Sequence, residues 1–183
     1  PSLRTRPIAI ISSRQPNGTI LSLSPEAEED GLFHGMKVSV IRKMSHGVQL
    51  LPYNRSLYTR LNRYVYQVVS MFTPTVEPDG FDGFYLDMKG MRAIRGDMQN
   101  TGMSIVQKIQ KQTNISGIVG ISVNKLVSRI VTSVVPETIY EVEDGKEAQF
   151  LSSFKPPILP AVKENSVNRI LRFLWIRQIS HIQ

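Results

Sequence analysis

The chain contains no cysteine. That excludes disulfides, thiolate metal sites and thiol nucleophiles. Long apolar runs are missing too: none approaches the roughly 18 residues a bilayer-spanning helix needs. No signal-peptide pattern opens the chain, and the expectation is a cytoplasmic protein with no membrane partner. Histidine is scarce. His34, His46 and His181 lie far apart without ligand spacing, so each reads as an ordinary histidine before a metal ligand. No P-loop and no dinucleotide fingerprint occur. The glycines of "GIVGIS", residues 117–122, lack the spacing that cradles a phosphate. Serines are many, but none sits in a nucleophile elbow and none is paired with a base.

What is present is enough to fold. Hydrophobic residues are 41% of 183, which supports a packed core in one large domain or two small ones. The formal charge of +7 is uneven. Residues 1–70 hold nine Lys or Arg against four Asp or Glu, whereas residues 137–183 hold six of each. A polyanion partner is one reading of that imbalance, and a solvated basic surface is the other.

The pattern predicts an α+β chain. "PIAIIS", Pro7–Ser12, reads as a buried strand, and Pro16, Asn17 and Gly18 as the turn to a return strand at Ile20–Ser24. Ser24, Pro25 and the acids after them suit the start of a short helix. From Arg55 to Phe72, the spacing of Leu57, Leu61, Val65, Val68 and Phe72 predicts a long amphipathic helix. "TPTVEPDG" breaks it, and a strand is expected over Phe81–Met88. Further helices are expected over Asn100–Gln112, with Met103, Val106 and Ile109 inward, and over Asn124–Val134, stopped by Pro136. A glycine-broken strand, Ile115–Ser122, lies between them, and a short strand and acidic turn occupy 137–148. The tail from about Leu151 reads as mostly helical, with Val167, Ile170, Leu171 and Leu174 as its stripe.

The most suggestive stretch is "GFDGFYLDMKG", residues 80–90. In a regular strand Asp82 and Asp87 point to opposite faces, so a shared metal site is not expected. Asp82 then shares a face with Phe84 and Leu86, where a lone carboxylate is costly without a cation or donors. Asp87 is expected to help the following turn.

Four segments in order resemble a Y-family translesion DNA polymerase, DinB/UmuC-like. They are "SPEAEEDGLFHGMKV" (24–38), "LLPYNRSLYTRLNRYVYQVV" (50–69), "GFDGFYLDMKG" (80–90) and "GISVNKLVSRIVTSVVP" (120–136). "ILPAVKENSVNRILRFLWIRQISHI", residues 158–182, is similar to the helix-hairpin-helix of that family's thumb. The resemblance implies fingers-like residues 1–53, a palm-like sheet backed by helices over 54–136, and a helical thumb-like part over 137–183.

It also implies metal-dependent nucleotidyl transfer, with Mg2+ held by carboxylates. Asp82 falls on a metal-binding and catalytic Asp of the family. The neighbouring family Glu is Gly83 here, which has no side chain. A Tyr that touches the triphosphate is Pro25, an Arg beside it is Glu28, and a Lys near the end of the palm motif is Val135. An anion in place of a cation repels a triphosphate. The first metal Asp and the steric-gate aromatic belong to a strand upstream of Pro1. In the thumb, Pro-Gly-Ile-Gly reads "PAVK", Pro160–Lys163.

The expectation is a family relative in DNA damage tolerance with impaired chemistry and no cofactor of its own. It would act as a DNA-binding or adaptor component beside an active polymerase or a sliding clamp. Arg14, Arg42, Lys43, Arg55, Arg60, Arg63, Lys125 and Lys163 are the candidate phosphate contacts, and binding through them is non-specific and salt-sensitive. A fragment of an active polymerase and a non-DNA-binding interaction protein are the alternatives.

Overall fold

The computed structural model describes residues 6–44, 47–162 and 165–182. They form two compact units, divided at residues 60 and 61.

The first unit is built on a three-stranded mixed sheet. β1 (Ile8–Ile11) is its centre, flanked by antiparallel β2 (Ile20–Leu23) and parallel β3 (Gln49–Pro52). The expected hairpin and return strand are therefore present. Ala9 and Ile11 alternate into the core, as the two-residue period of a strand requires. Helices α1 (Pro25–Glu29) and α2 (Val38–Met44) supply the chain needed to bring β3 parallel to β1. Ala27, Leu32, Met36, Val38 and Ile41 close the core over Ile11 and Ile20. Ser24 caps α1 as its sequence suggests: its Oγ accepts from the Ala27 amide at 3.4 Å, and also from the Ile8 amide at 3.1 Å. One hydroxyl thus joins the helix start to the sheet.

Helix α3 (Arg55–Val69) begins in the first unit and ends in the second. Only the later part of its predicted stripe is core. Val65, Val68 and Phe72 pack with Ile105 and Ile109, whereas Leu57 is exposed.

In the second unit β4 (Val76–Asp79) and β5 (Gly83–Leu86) form an antiparallel hairpin. The expected strand over Phe81–Met88 is shorter, and the "TPTVEPDG" breaker contains its partner β4. Pro78 is tolerated there because this is a two-stranded ribbon, in which each strand has an edge with no ladder to donate to. Thr73 is buried and satisfied: its hydroxyl donates to the Asp87 carbonyl at 2.6 Å and accepts from the Thr75 amide.

After the single turn α4 (Arg92–Arg95), Asp97 caps α5 (Met98–Thr113) through the Asn100 amide. Its inward face is Thr101, Gly102, Ile105, Val106 and Ile109. Val106 and Ile109 are inward as expected, whereas Met103 is exposed. Strand β6 (Val119–Ile121), helix α6 (Lys125–Val134) and strand β7 (Ile139–Glu141) form a β–α–β unit with parallel strands. Asn124 caps α6 through the Val127 amide at 2.9 Å. Val127 and Val131 pack with Val142, Phe150 and Leu151.

The tail holds α7 (Glu147–Ser152), 3-10 turns at Pro156–Ile158, Pro160–Val162 and Ile179–His181, and α8 (Asn165–Phe173). It is tied by the Ile179 amide donating to the Phe154 carbonyl at 2.9 Å. The predicted stripe of α8 is not a core stripe, since Ile170 and Leu174 are exposed. The expected class holds: α+β, with a mixed sheet, helix-backed strands and a helical C-terminal part.

Candidate functional site

The β4–β5 register decides what each side of the hairpin does. Glu77 faces Tyr85 and Asp79 faces Gly83 across the ladder, while Val76 faces Leu86 and Pro78 faces Phe84. Val76, Phe84 and Leu86 go to the core. The other side therefore presents Glu77, Asp79, Tyr85 and Gly83 together.

Helix α6 covers that polar side with cations. Lys125 and Arg129 are four residues apart, so they share a helix face. Glu77 and Asp79 are two apart, so they share a strand face. The Lys125 ammonium pairs with Glu77 and lies 5.4 Å from the Tyr85 ring centroid. The Arg129 guanidinium donates to Asp79 Oδ1 at 2.7 Å. Hydrogen bonding to the Tyr85 side chain, and then the charge of Asp79, hold Arg129 protonated beyond its usual range. Two ion pairs and an aromatic ring thus fasten hairpin to helix.

Asp82 is not in this group. It is exposed in the three-residue turn between the strands, not within a strand as expected. The cost of burying it beside Phe84 and Leu86 does not arise, because the turn releases it from the strand's alternation. Asp87 lies beyond the end of β5, so the opposite-face relation does not apply to it either. It serves the turn, accepting from the Lys89 amide at 2.9 Å.

The donor set can be set against a divalent metal, which needs several hard oxygen ligands. Among the described residues no group of three or more His, Cys, Asp or Glu could hold one. Glu77 and Asp79 are matched by Lys125 and Arg129, and Asp82 has a glycine beside it. Nor is there room at that glycine. A Cβ on Gly83 would come within 2.9 Å of the Asp79 carbonyl oxygen, where backbone must shift. The described residues do not fit a carboxylate metal centre.

The remaining candidates are dispersed. In the first unit the Arg42 guanidinium donates to the Arg14 carbonyl at 3.0 Å, which brings Arg14, Arg42 and Lys43 to one region. Arg55, Arg60 and Arg63 are exposed along α3. None of these six forms an ion pair among the described residues. Lys125, by contrast, is engaged with Glu77. Pro25 is the first residue of α1 and Glu28 is exposed on it, while Val135 caps α6 and packs beside Val131. Lys163 lies outside the described residues. Glu77, Asp79, Tyr85 and Arg129 escaped sequence reasoning, although the i, i+2 acids of one element and the i, i+4 cations of another carry the signal.

Comparison with known proteins places this geometry in a family. Residues 1–133 match the impB/mucB/samB family. The chain is 27% identical over 163 residues to DNA polymerase IV of Dehalococcoides mccartyi strain 195, covering 88% of this chain and 42% of that protein. It is 29% identical over 157 residues to DNA polymerase IV of Opitutus terrae, covering 84% and 40%. Among solved structures, the crystal structure of DinB from Sulfolobus solfataricus superposes with a TM-score of 0.82 at 18% identity, covering 98% of this chain and 53% of that one. An insertion ternary complex of Dbh DNA polymerase gives the same score, identity and coverage. The chain spans less than half the length of these two curated relatives. The chain belongs to the impB/mucB/samB family and has the fold of the Y-family, DinB/UmuC-like DNA polymerases.

Proposed function

We propose that this chain serves DNA damage tolerance as a Y-family relative with impaired nucleotidyl transfer, binding DNA or acting as an adaptor. The observation that carries the reading is the polar side of the β4–β5 hairpin. Its two strand carboxylates are matched by Lys125 and Arg129, and Asp82 stands alone beside Gly83. A polymerase site must concentrate negative oxygen ligands around its metals. Among the described residues no group of three or more His, Cys, Asp or Glu does so.

The cations support the other half. Arg14, Arg42 and Lys43 form no ion pair among the described residues, and residues 1–70 hold nine Lys or Arg against four acids. Phosphate contacts of this type give affinity without sequence preference and fall steeply with salt. The family's DNA-handling fold makes DNA the polyanion of choice, with an active polymerase or a sliding clamp as the protein partner.

Primer extension with Mg2+ and all four nucleotides tests the chemistry. No extension is expected, and robust synthesis would restore the reading of an active polymerase fragment. A DNA titration over a salt series tests the binding. Affinity is expected at about 50 mM salt and is expected to fall by orders of magnitude by about 200 mM. No binding at low salt would leave only a protein-interaction role.

A further inference from the structure

The chain has a single Asn-Gly pair, Asn17–Gly18. An asparagine before a glycine is open to attack on its own side chain, because no Cβ shields the following amide nitrogen. Asn17 is exposed to water. Gly18 is buried, and an added Cβ there would collide with the Ser13 carbonyl oxygen. The fold therefore requires the glycine that makes the pair reactive.

Backbone bonds lock the pair in place. The Gly18 amide donates to the Gln15 carbonyl at 2.9 Å, closing a four-residue turn. Pro16 sets φ at the second position and φ of Asn17 is not positive, which together fit a type I turn. The turn's carbonyls then receive the start of α2. The Val38 amide donates to the Gly18 carbonyl at 2.8 Å and the Ser39 amide to the Pro16 carbonyl at 3.1 Å. Amides at a helix start have no acceptor within the helix, so this distant turn serves as the cap of α2. The Arg42 guanidinium adds a further tie, to the Arg14 carbonyl at 3.0 Å.

We propose that Asn17 is a deamidation site gated by the docking of α2 on this turn. In the reaction the Gly18 nitrogen bonds to the side-chain carbonyl carbon of Asn17. The side-chain nitrogen leaves as ammonia, with the proton that Gly18 gives up. Water then opens the cyclic imide at one carbonyl or the other, leaving aspartate or isoaspartate. No oxidant or reductant is needed. The docked state opposes the first step twice. The Gly18 proton is engaged by Gln15, and closing the ring rotates the Gly18 amide out of the turn, away from Gln15 and Val38. Modification then makes the opening permanent. Isoaspartate routes the main chain through the side-chain carbon, so the Pro16 and Gly18 carbonyls gain an intervening atom and no longer match consecutive amides of α2. The proposal is independent of the DNA-binding reading.

The full chain is incubated at mildly alkaline pH, native and in urea, and digested with trypsin. The peptide 15–37 holds Asn17 as its only asparagine, so conversion of the amide to an acid is read from its mass. The three backbone bonds of the lock are expected to keep the native rate at least about tenfold below the rate in urea. R42A is expected to speed native deamidation. S39P removes the donor to Pro16 at a first-turn position where proline is accepted, and is expected to do the same. The isoaspartate fraction, separated and refolded, is expected to melt below N17D, which has the charge without the extra main-chain atom. Equal native and unfolded rates, or native rates unmoved in both S39P and R42A, would overturn the gate. A peptide unmodified even in urea would overturn the site. An isoaspartate form that melts with N17D would overturn the link between modification and the release of α2.

Discussion

Arg129 reaches across from α6 to hold Asp79 at the end of β4, 2.7 Å away and fifty positions distant in the chain. The contact is asymmetric. Asp79 is 25% exposed and Arg129 51%, so the acid depends on the cation more than the cation on the acid. A half-exposed pair is screened and modest. A double-mutant cycle of D79N and R129M, read by urea denaturation, is expected to give a small favourable coupling that shrinks in 1 M salt. A coupling indistinguishable from zero at low salt would mean that the pair does not fasten hairpin to helix.

Reinstating the family's carboxylate at residue 83 is the sharper test of the hairpin. G83A already places a Cβ 2.9 Å from the Asp79 carbonyl oxygen, and the Asp79 Cβ is 3.4 Å away. G83E adds a negative charge beside Asp79. Overpacking of this kind costs about 1–3 kcal/mol, so G83A is expected to lower the melting temperature and G83E to lower it further. G83E is also expected to leave primer extension absent. Extension rescued by G83E alone would show that the missing carboxylate was the only defect.

Much of the scaffold is legible from sequence because its signals are local. Ser24 with Pro25, and the Pro16–Gly18 turn, declare their roles within a few residues, and the structure carries each of them out. The fourfold motif order identifies the family in the same way. What was not legible depends on pairing over distance. β4 hides behind Pro78, which reads as a breaker until the two-stranded hairpin shows why it is allowed. Asp82 reads as a strand residue because nothing local marks where the ladder stops. The Glu77–Lys125 and Asp79–Arg129 pairs need the register of one element against the face of another. Trp175 takes a left-handed backbone conformation, φ 57, that no local sequence signal declares.

Ser24 is expected to matter to both the sheet and the helix. S24A removes an acceptor shared by the Ala27 and Ile8 amides, which is expected to cost about 1–2 kcal/mol in urea denaturation. A loss below about 0.3 kcal/mol would show that water replaces it at no cost.

Glu26, in the first turn of α1, gives a pH signature. A hydrogen bond from its own backbone amide, and then one from the Ser24 side chain, hold its carboxyl below the usual carboxylate range. A carboxyl depressed on folding stabilises above its unfolded pKa, and the effect is lost as pH falls through the folded value. E26Q is therefore expected to lower the melting temperature at pH 7. As pH falls through the folded value the variant and parent curves are expected to converge. Parallel curves across that window would mean that the charge of Glu26 has no role in folding.

The glycines of residues 117–122, set aside as a phosphate loop, separate into two kinds once β6 is seen against α6. Around Gly117 nothing lies within 4 Å of an added Cβ. At Gly120 an added Cβ would collide with the Ser128 carbonyl oxygen and come within 3.0 Å of the Val131 Cβ. Gly120 is thus what lets strand and helix approach so closely. G117A is expected to be neutral within about 0.5 kcal/mol. G120A is expected to cost more than about 2 kcal/mol, because its obstacle is helix backbone and not the end of a flexible side chain. Trimming the neighbour does not help: V131A removes a fully buried side chain and leaves the Ser128 oxygen in place. The G120A/V131A double variant is therefore expected to be less stable than either single variant by thermal denaturation. Recovery of stability in the double variant would show that the side chain of Val131, and not the backbone of α6, sets the distance between helix and strand.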